Sequence, residues 1–432
     1  MGRSTSVVIL AAGKGTRMRS ATPKVLQPLC GRPMLGWVLD QALALDPVRI
    51  VVVIGHGSEK VEAYTREHVG DRSRVEFAVQ EPQRGTGHAV QCALPGLGDD
   101  ADTAVVLYGD MPLLRPESLE HLLSQHADAG PRAMAIMVGE FEDPTAYGRI
   151  VRAEDGSVQE TVEERDCTEE QRWITEVNLG IYAFDMGLLH ENIGKLQDDN
   201  AQGELYLTDM LGLSVQAGLP AIAVEIDDVG EGQGVNTLAQ LAEVRWDLQA
   251  RIHEMHMANG VRIEDPLTTY IDHGVTIGAG TLIQPCCVIR GGVTIGEGCE
   301  VGPFAHLRTG VVLENASVLG NFCEAKNSTL GEGSKAKHLT YLGNAIVGKK
   351  ANIGAGTVFA NYDGKHKHET QVGDGAFIGS GTVIVAPNTI PAGSTTGAGA
   401  VVTSSADIQP GEVWAGLPAR RLRGADKKPS TD

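Results

Sequence analysis

Two rhythms of apolar residues divide the chain. In the first half, short apolar runs at Val7–Leu10, Val48–Ile54, Val75–Val79 and Ala104–Leu107 each stop at a polar or glycine-bearing stretch: Ala11-Ala12-Gly13, Gly55-His56-Gly57, Gln80, and Tyr108-Gly109-Asp110. Such runs read as buried strands. Between them, helical patterns run from Pro33 through Trp37, Val38 and Leu43, and over 58–69, 86–94 and 116–129. Strands alternating with helices predict an α/β domain, a doubly wound, Rossmann-like and mostly parallel sheet. Leu238, Leu241, Val244, Leu248, Ile252 and Met255 then mark one amphipathic helix, read as a strut between domains.

From Ile277 the period becomes six. Ile277, Ile283, Ile289, Ile295, Val301, Leu307, Leu313 and Leu319 follow at that interval. The register slips by one and resumes at Leu330, Ala336 and Leu342, then slips again to Val347, Ile353 and Phe359. After a loop it runs from Val372 through Ile378, Ile384, Ile390 and Thr396 to Val402, often with a glycine after the apolar residue. A six-residue period fits neither a helix nor a strand pair. It predicts a parallel β-helix with one short strand per hexad and three per coil. The chain is thus divided into an α/β domain over 1–238, a connecting helix over 239–259 and an all-β solenoid over 260–432. The charged tail from Gly424 is expected to be disordered.

Composition sharpens this only in part. A chain of 432 residues exceeds one compact core, in line with several domains. A net charge of −19 argues against nucleic acid or an anionic membrane as the main partner, while leaving room for a local basic pocket. No signal peptide is legible and no apolar run is long enough to span a bilayer. The seven cysteines are scattered and lack metal spacing, so they read as reduced thiols of a cytoplasmic protein. Cys286 and Cys287 are expected on opposite faces of a strand.

The chemistry gathers at the strand ends. The loop after Val7–Leu10 carries two glycines, Gly13 and Gly15, and the cations Lys14, Arg17 and Lys24. Ligands of open sheets sit beyond the carboxyl ends of the strands, where glycines let the backbone approach a phosphate. The spacing matches neither a P-loop nor a dinucleotide fingerprint. Asp110 is a candidate Mg²⁺ ligand, since that ion takes one or two protein oxygens and completes its shell with phosphate and water. A turn aspartate ahead of proline explains it equally. Gln80 with Gly85-Thr86 suits recognition of a base edge, although a helix N-terminus capped by Thr86 is the simpler reading.

The stretch Leu10-Ala11-Ala12-Gly13-Lys14-Gly15-Thr16-Arg17-Met18, followed by Pro23-Lys24, resembles the signature of sugar-1-phosphate nucleotidyltransferases. Gln80, Gly85-Thr86, Tyr108-Gly109-Asp110, Tyr147-Gly148-Arg149, Glu163, Asn178-Leu179-Gly180 and Gly234-Val235-Asn236 narrow the resemblance. They match the uridylyltransferase half of the bifunctional bacterial enzymes that make UDP-N-acetylglucosamine. The resemblance implies that Arg17 and Lys24 serve uridylyl transfer from UTP, and that Gly148, Glu163 and Asn178 hold the sugar. It also implies that Asp110 and Asn236 bind Mg²⁺. Gln27 and Ala146 depart from the family pattern at positions that touch no expected ligand group.

In the solenoid, what interrupts the repeat carries the chemistry. His338 follows Glu324 by about one coil, so stacking is expected to bring the carboxylate to the ring and raise its basicity. Arg308 and Lys326, one coil apart, suit a sugar phosphate. These residues resemble the glucosamine-1-phosphate N-acetyltransferase half of the same family, so the likeness covers nearly the whole chain. It implies a left-handed β-helix, His338 as general base oriented by Glu324, and Arg308, Lys326, Tyr341 and Asn352 on the sugar phosphate. Acetyl-CoA is expected along Ala355, Asn361, Tyr362, Ser380 and Ala398, in a homotrimer. Three departures stand out: a solenoid about one coil short before Arg308, Asn344 in place of an aspartate, and Gly416 where an arginine is common, with Arg420 and Arg421 nearby. Rival readings are a nucleotidyltransferase whose solenoid is only an oligomerisation or regulatory scaffold, and a non-catalytic sugar-nucleotide sensor.

Overall fold

A computed structural model describes residues 4–55 and 58–422. His56, Gly57 and the tail from Gly424 lie outside the described residues. The chain forms two compact units, 1–245 and 246–432.

The first unit is built on strands β1 (Thr5–Leu10), β2 (Arg49–Ile54), β3 (Val75–Val79), β4 (Thr103–Tyr108), β5 (Met134–Glu140), β6 (Gly148–Arg152), β7 (Val158–Val162), β8 (Glu176–Asp185) and β9 (Ala221–Glu225). Their order is β9-β5-β8-β4-β1-β2-β3, with β6 pairing β8 and β7. The four strands read from the apolar runs are mutually parallel. The long β8 runs antiparallel to both β4 and β5, an insertion that those runs did not reveal. Val7, Val8 and Ile9 are fully buried because helices cover both faces of the sheet. These helices are α1 (Met34–Ala44), α2 (Ser58–Val69), α3 (Thr86–Leu97), α4 (Pro116–Asp128), α5 (Met186–Asn192) and α6 (Asp209–Gln216).

Helix α7 (Leu238–Ala258) follows, and the boundary between the two units falls inside it. Leu241, Val244, Leu248 and Ile252 are buried, whereas Leu238 and Met255 at the ends of the stripe are exposed. The first turn closes with a capping box. Thr237 Oγ1 accepts from the N–H of Gln240, and the Gln240 side chain accepts from the N–H groups of Asn236 and Thr237. No described helix is long and apolar enough to cross a membrane.

The second unit is a left-handed parallel β-helix of three sheets, one per face of a triangular prism. The first face includes Val318–Asn321, Lys335–His338, Asn352–Ile353, Phe377–Ile378 and Thr395–Thr396. The second includes His306–Leu307, Glu324–Lys326, Tyr341–Gly343 and Val358–Ala360, and the third Val312–Leu313, Thr329–Leu330, Ala345–Val347 and Thr370–Val372. Every hexad residue from Ile283 onward is buried, and Ile277, in the first coil, is half-buried. Each buried isoleucine or leucine contributes roughly 1.5–3 kcal/mol of transfer free energy. Edge pairing at the open end is taken up by Gln249, whose amide bonds both the N–H and the carbonyl of Ile271.

The register explains the slips. Thr294 pairs with Val312, eighteen residues on, but Val312 pairs with Thr329 and Val318 with Lys335, seventeen on. Ala325 fills the interior position skipped in the periodicity, fully buried under Leu342. The lost residue is taken from the corner between the second and third faces, at Asn327 and again at Asn344, both left-handed. The loop 361–369 enters at this same corner one coil later. Cys286 and Cys287 do not alternate on a strand. They form the corner before Val288–Ile289, with Cys286 at φ 62° and Cys287 buried inside the prism.

Candidate functional site

Two groups of candidate residues form, one in each unit. In the first, a cavity of about 550 Å³ opens at the carboxyl end of the sheet, lined by Leu10, Ala12, Gly13, Arg17, Lys24, Gln80, Gly85, Thr86, Tyr108, Asp110, Gly148, Glu163, Asn178 and Asn236 among others. Of the residues expected there, Ala11 is buried beneath the floor, and Gly109 donates its N–H to the Leu10 carbonyl, 3.0 Å away. Lys14 lies outside the lining and is exposed.

The cavity is organised on a charged knot. Lys24 pairs with Asp110 and donates to Asn236 Oδ1 at 2.9 Å, and Arg17 Nη2 donates to the same oxygen at 2.8 Å. Asp110 arrives on the β4 turn. Asn236 arrives because the Val235 N–H donates to the Asp110 carbonyl, and the capping box of α7 fixes the next peptide. Residues 126 positions apart thus present two hard oxygens toward one ammonium.

Opposite the knot, Gln80 Nε2 donates to the Gly85 carbonyl at 2.8 Å. Gly85 sits at φ 102°, and a Cβ there would come within 2.6 Å of the Leu205 carbonyl oxygen, so only glycine fits. Thr86 does not cap α3. Its Oγ1 accepts from the Leu207 N–H at 3.0 Å and ties the helix start to the 205–207 segment. Gln83, unassigned in the sequence reading, donates to the Ala12 carbonyl beside the glycine loop.

At the far end, a β-bulge in β8 between Asn178 and Tyr182 turns the Asn178 amide toward the cavity. Its Nδ2 donates to Tyr182 Oη and its Oδ1 accepts from the Gly180 N–H, each at 2.7 Å. Glu163 accepts from Thr208 Oγ1 at 3.1 Å. Burial raises its carboxyl above the usual range, reinforced by Asp166 and Glu204, while the Thr208 bond opposes the shift. Burial likewise raises Tyr108, with Glu163 adding to it.

In the second unit, Arg308, Glu324, Lys326 and Tyr341 gather on the outer second face. Leu307 pairs with Ala325 and Glu324 with Tyr341, so their neighbours stack. Lys367, from the inserted loop, meets Lys326 and lowers its pKa, with Arg308 adding to the effect. Three clustered cations favour an anion between them. Lys367 was not among the expected site residues, although its place in the only long interruption of the hexads was the available signal.

His338 stands at the corner between the first and second faces. Glu324 does not reach it. That carboxylate sits around the corner and accepts from Arg308 Nη1 at 2.9 Å. The ring's partner is Asn321, whose Oδ1 lies 2.6 Å from His338 Nδ1. Ala355, Ser380 and Ala398 occupy the same corner in the following coils. The His338 carbonyl accepts from Gly356, that of Ala355 from Gly381 and that of Ser380 from Gly399, at 3.1, 2.7 and 2.8 Å. Small residues thus line this corner in the coils that follow the imidazole, whereas the preceding coils fill it with Phe304 and Phe322, stacked at 5.1 Å.

Asn352 lies beside Lys335 on the first face. Asn361 Nδ2 donates to Asn344 Oδ1 at 2.7 Å, anchoring the base of the loop, and Tyr362 Oη donates to the Gly364 carbonyl within it. Gly416, at φ 100°, closes a C-terminal hairpin that also carries Arg420 and Arg421, the latter paired with Glu412 at 3.0 Å.

An α/β sheet with a glycine-bearing loop, two cations and a carboxylate gathered at its C-terminal edge defines a nucleotidyltransferase-type domain. The family model described as the MobA-like NTP transferase domain matches residues 7–173. Curated relatives named "Bifunctional protein GlmU" extend the match through the solenoid. That of Pseudomonas fluorescens is 43% identical over 460 residues, covering 99% of this chain and 98% of the relative. That of Mycolicibacterium vanbaalenii is 44% identical over 459 residues (98% and 92%), and that of Pelobacter propionicus 42% over 434 (93% of each). The chain belongs to the GlmU family.

Proposed function

We propose that this chain acetylates glucosamine-1-phosphate with acetyl-CoA in its second unit. In its first unit it transfers UMP from UTP to N-acetylglucosamine-1-phosphate, giving UDP-N-acetylglucosamine, a cell-wall precursor, and pyrophosphate. The observation that carries the reading is the Lys24–Asp110–Asn236–Arg17 knot in a chain whose solenoid holds a second cation cluster and a corner histidine.

In the acetyl transfer, His338 Nε2 takes a proton from the sugar amine as its nitrogen attacks the thioester carbonyl. The C–S bond breaks, the imidazolium returns that proton to the departing sulfur, and CoA leaves as the thiol. A positioned base supplies about 10²–10⁴-fold. Arg308, Lys326 and Lys367 hold the phosphate, and Tyr341 and Asn352 flank it. Acetyl-CoA lies along Ala355, Asn361, Tyr362, Ser380 and Ala398.

In the uridylyl transfer, a phosphate oxygen of the sugar attacks the α-phosphorus of UTP and the bond to the β-phosphate oxygen breaks. Arg17 and Lys24 offset the charge of the departing pyrophosphate. Gln80 and Gly85-Thr86 face the base, and Gly148, Glu163 and Asn178 the sugar. Asp110 and Asn236 hold Mg²⁺. Two oxygens already converging on one cation are the donor set that ion prefers, and when bound it supplies charge neutralisation on the phosphates. No protein nucleophile is required.

The working assembly is a homotrimer, since closed cyclic symmetry suits a triangular prism. The seven cysteines are all free thiols, in keeping with a reducing cytoplasm. The test is product analysis with UTP, acetyl-CoA and glucosamine-1-phosphate, omitting each in turn. UDP-N-acetylglucosamine appears only when all three are present. If no CoA thiol is released from glucosamine-1-phosphate while pyrophosphate still forms once N-acetylglucosamine-1-phosphate is added, the solenoid is a scaffold and half the proposal is overturned.

A further inference from the structure

We infer that Asn321 is the positioning residue of the acetyl-transfer base: its amide oxygen holds the Nδ1–H of His338, which leaves the Nε2 lone pair for the substrate amine. The inference deepens the proposed acetyl transfer and rests on it.

Three features support the assignment. Asn321 and His338 lie directly opposite each other on adjacent parallel strands, and the Asn321 carbonyl also accepts from the Leu339 N–H at 3.0 Å. Asparagine and histidine are therefore fixed at both backbone and side chain, with Oδ1 and Nδ1 2.6 Å apart. Second, Gly320 beside Asn321 lets the strands close to this separation. A Cβ there would stand 2.7 Å from the Lys337 carbonyl carbon and 2.8 Å from its Cα. Third, no carboxylate competes for the ring. Neither flanking strand of the same face, Val318–Asn321 or Asn352–Ile353, carries a charged side chain, and the adjoining corners hold Phe322, Cys323, Leu339, Thr340, Gly354, Ala355 and Gly356. The charges nearby in the fold are Lys335 and Lys337 on the ring's own strand, and Glu324 around the corner, which is paired with Arg308.

The choice of an amide has a chemical consequence. A neutral oxygen orients the ring and selects the Nδ1–H tautomer without stabilising a second proton on it. A carboxylate in its place would orient the ring equally but favour imidazolium, which cannot act as a base. The arrangement suits a base that must start the cycle neutral.

The experiment measures CoA-thiol release by the full chain from acetyl-CoA and glucosamine-1-phosphate across pH, for wild type, N321A, N321D and H338A. Uridylyl transfer by the same preparations checks their folding. N321A is expected to lower kcat at least tenfold with KM for both substrates within about twofold. N321D is expected to recover much of kcat at high pH and to move the acidic limb of kcat/KM upward by about one pH unit. If H338A retains wild-type thiol release, acetyl transfer stands but His338 is not its base, and the inference falls with that role. If H338A is inactive but N321A keeps wild-type kcat, the inference is overturned while the function stands. Should N321A fail to fold, isosteric N321D decides: a limb unmoved from wild type overturns the assignment.

Discussion

Gly320→Ala tests how closely acetyl transfer depends on strand spacing. The added methyl would lie about 0.7 Å inside ordinary contact with the Lys337 carbonyl carbon and deeper against its oxygen. Both obstacles are backbone, so no side chain can swing aside. The strands carrying Asn321 and His338 must separate, at an overpacking cost of about 1–3 kcal/mol. For a unit of this size that lowers its melting temperature by roughly 2–10 °C. The imidazole moves with its strand, and a displacement approaching 1 Å from a near-attack geometry costs up to about 10²-fold. The expected result is thus a ten- to hundredfold (~10–100) fall in thiol-release kcat with uridylyl transfer unchanged in the same sample. The assay is thiol release and pyrophosphate release side by side, with the melt recorded by circular dichroism. Thiol-release kcat within twofold of wild type would refute the reasoning, because the corner would then absorb the methyl without moving the base.

Removing divalent cations with EDTA is expected to abolish pyrophosphate release and leave thiol release intact, with Mg²⁺ restoring the loss; persistence of pyrophosphate release in EDTA contradicts the Asp110–Asn236 site. Lys367→Ala is expected to raise KM for glucosamine-1-phosphate about tenfold, with a smaller effect on KM for acetyl-CoA; initial-rate kinetics showing the reverse order would move Lys367 off the phosphate. Asp209 is pushed up to about 6 by burial, reinforced by Glu163, Asp166, Glu160 and Asp199. Its contribution to the fold is therefore complete below about pH 4, its ordinary range, and is lost as pH rises through about 6. Asp209→Asn should raise the melting temperature more at pH 8 than at pH 4, and an equal gain at both would count against this assignment.

Apolar periodicity carried most of the architecture because burial dictates it. The strand ends at Leu10, Ile54 and Val79 and the hexads of the solenoid stand where the pattern puts them, while the fourth strand runs one residue further, to Tyr108. It failed where burial and hydrophobicity part company. Ala325 fills a prism position that the reading passed over, so the slip was seen but not located at Asn327. β8 was missed because its bulge and the polar Asn178 break both alternation and run. Cys286 looked like a strand residue, but its left-handed backbone makes it a corner. The candidate site was legible wherever one local motif supplied the groups, as in the Leu10–Lys24 loop. Partners of His338 were not local. A carboxylate fourteen residues away looked close enough to one coil, yet the slip shortens this coil to seventeen residues, and counting back seventeen from His338 gives Asn321. Thr86 shows the same limit: its hydroxyl bonds Leu207, a residue that no local pattern connects to it.

The central claim is that one chain carries two chemically independent sites, and the most direct measurement is a crossed assay of Asp110→Asn and His338→Ala. Thiol release and pyrophosphate release are followed in parallel, the latter with N-acetylglucosamine-1-phosphate supplied. The account predicts that Asp110→Asn loses pyrophosphate release by at least a hundredfold (~10²) while thiol release stays within twofold, and that His338→Ala does the reverse. Loss of both activities in either variant, or retention of thiol release in His338→Ala, would contradict it.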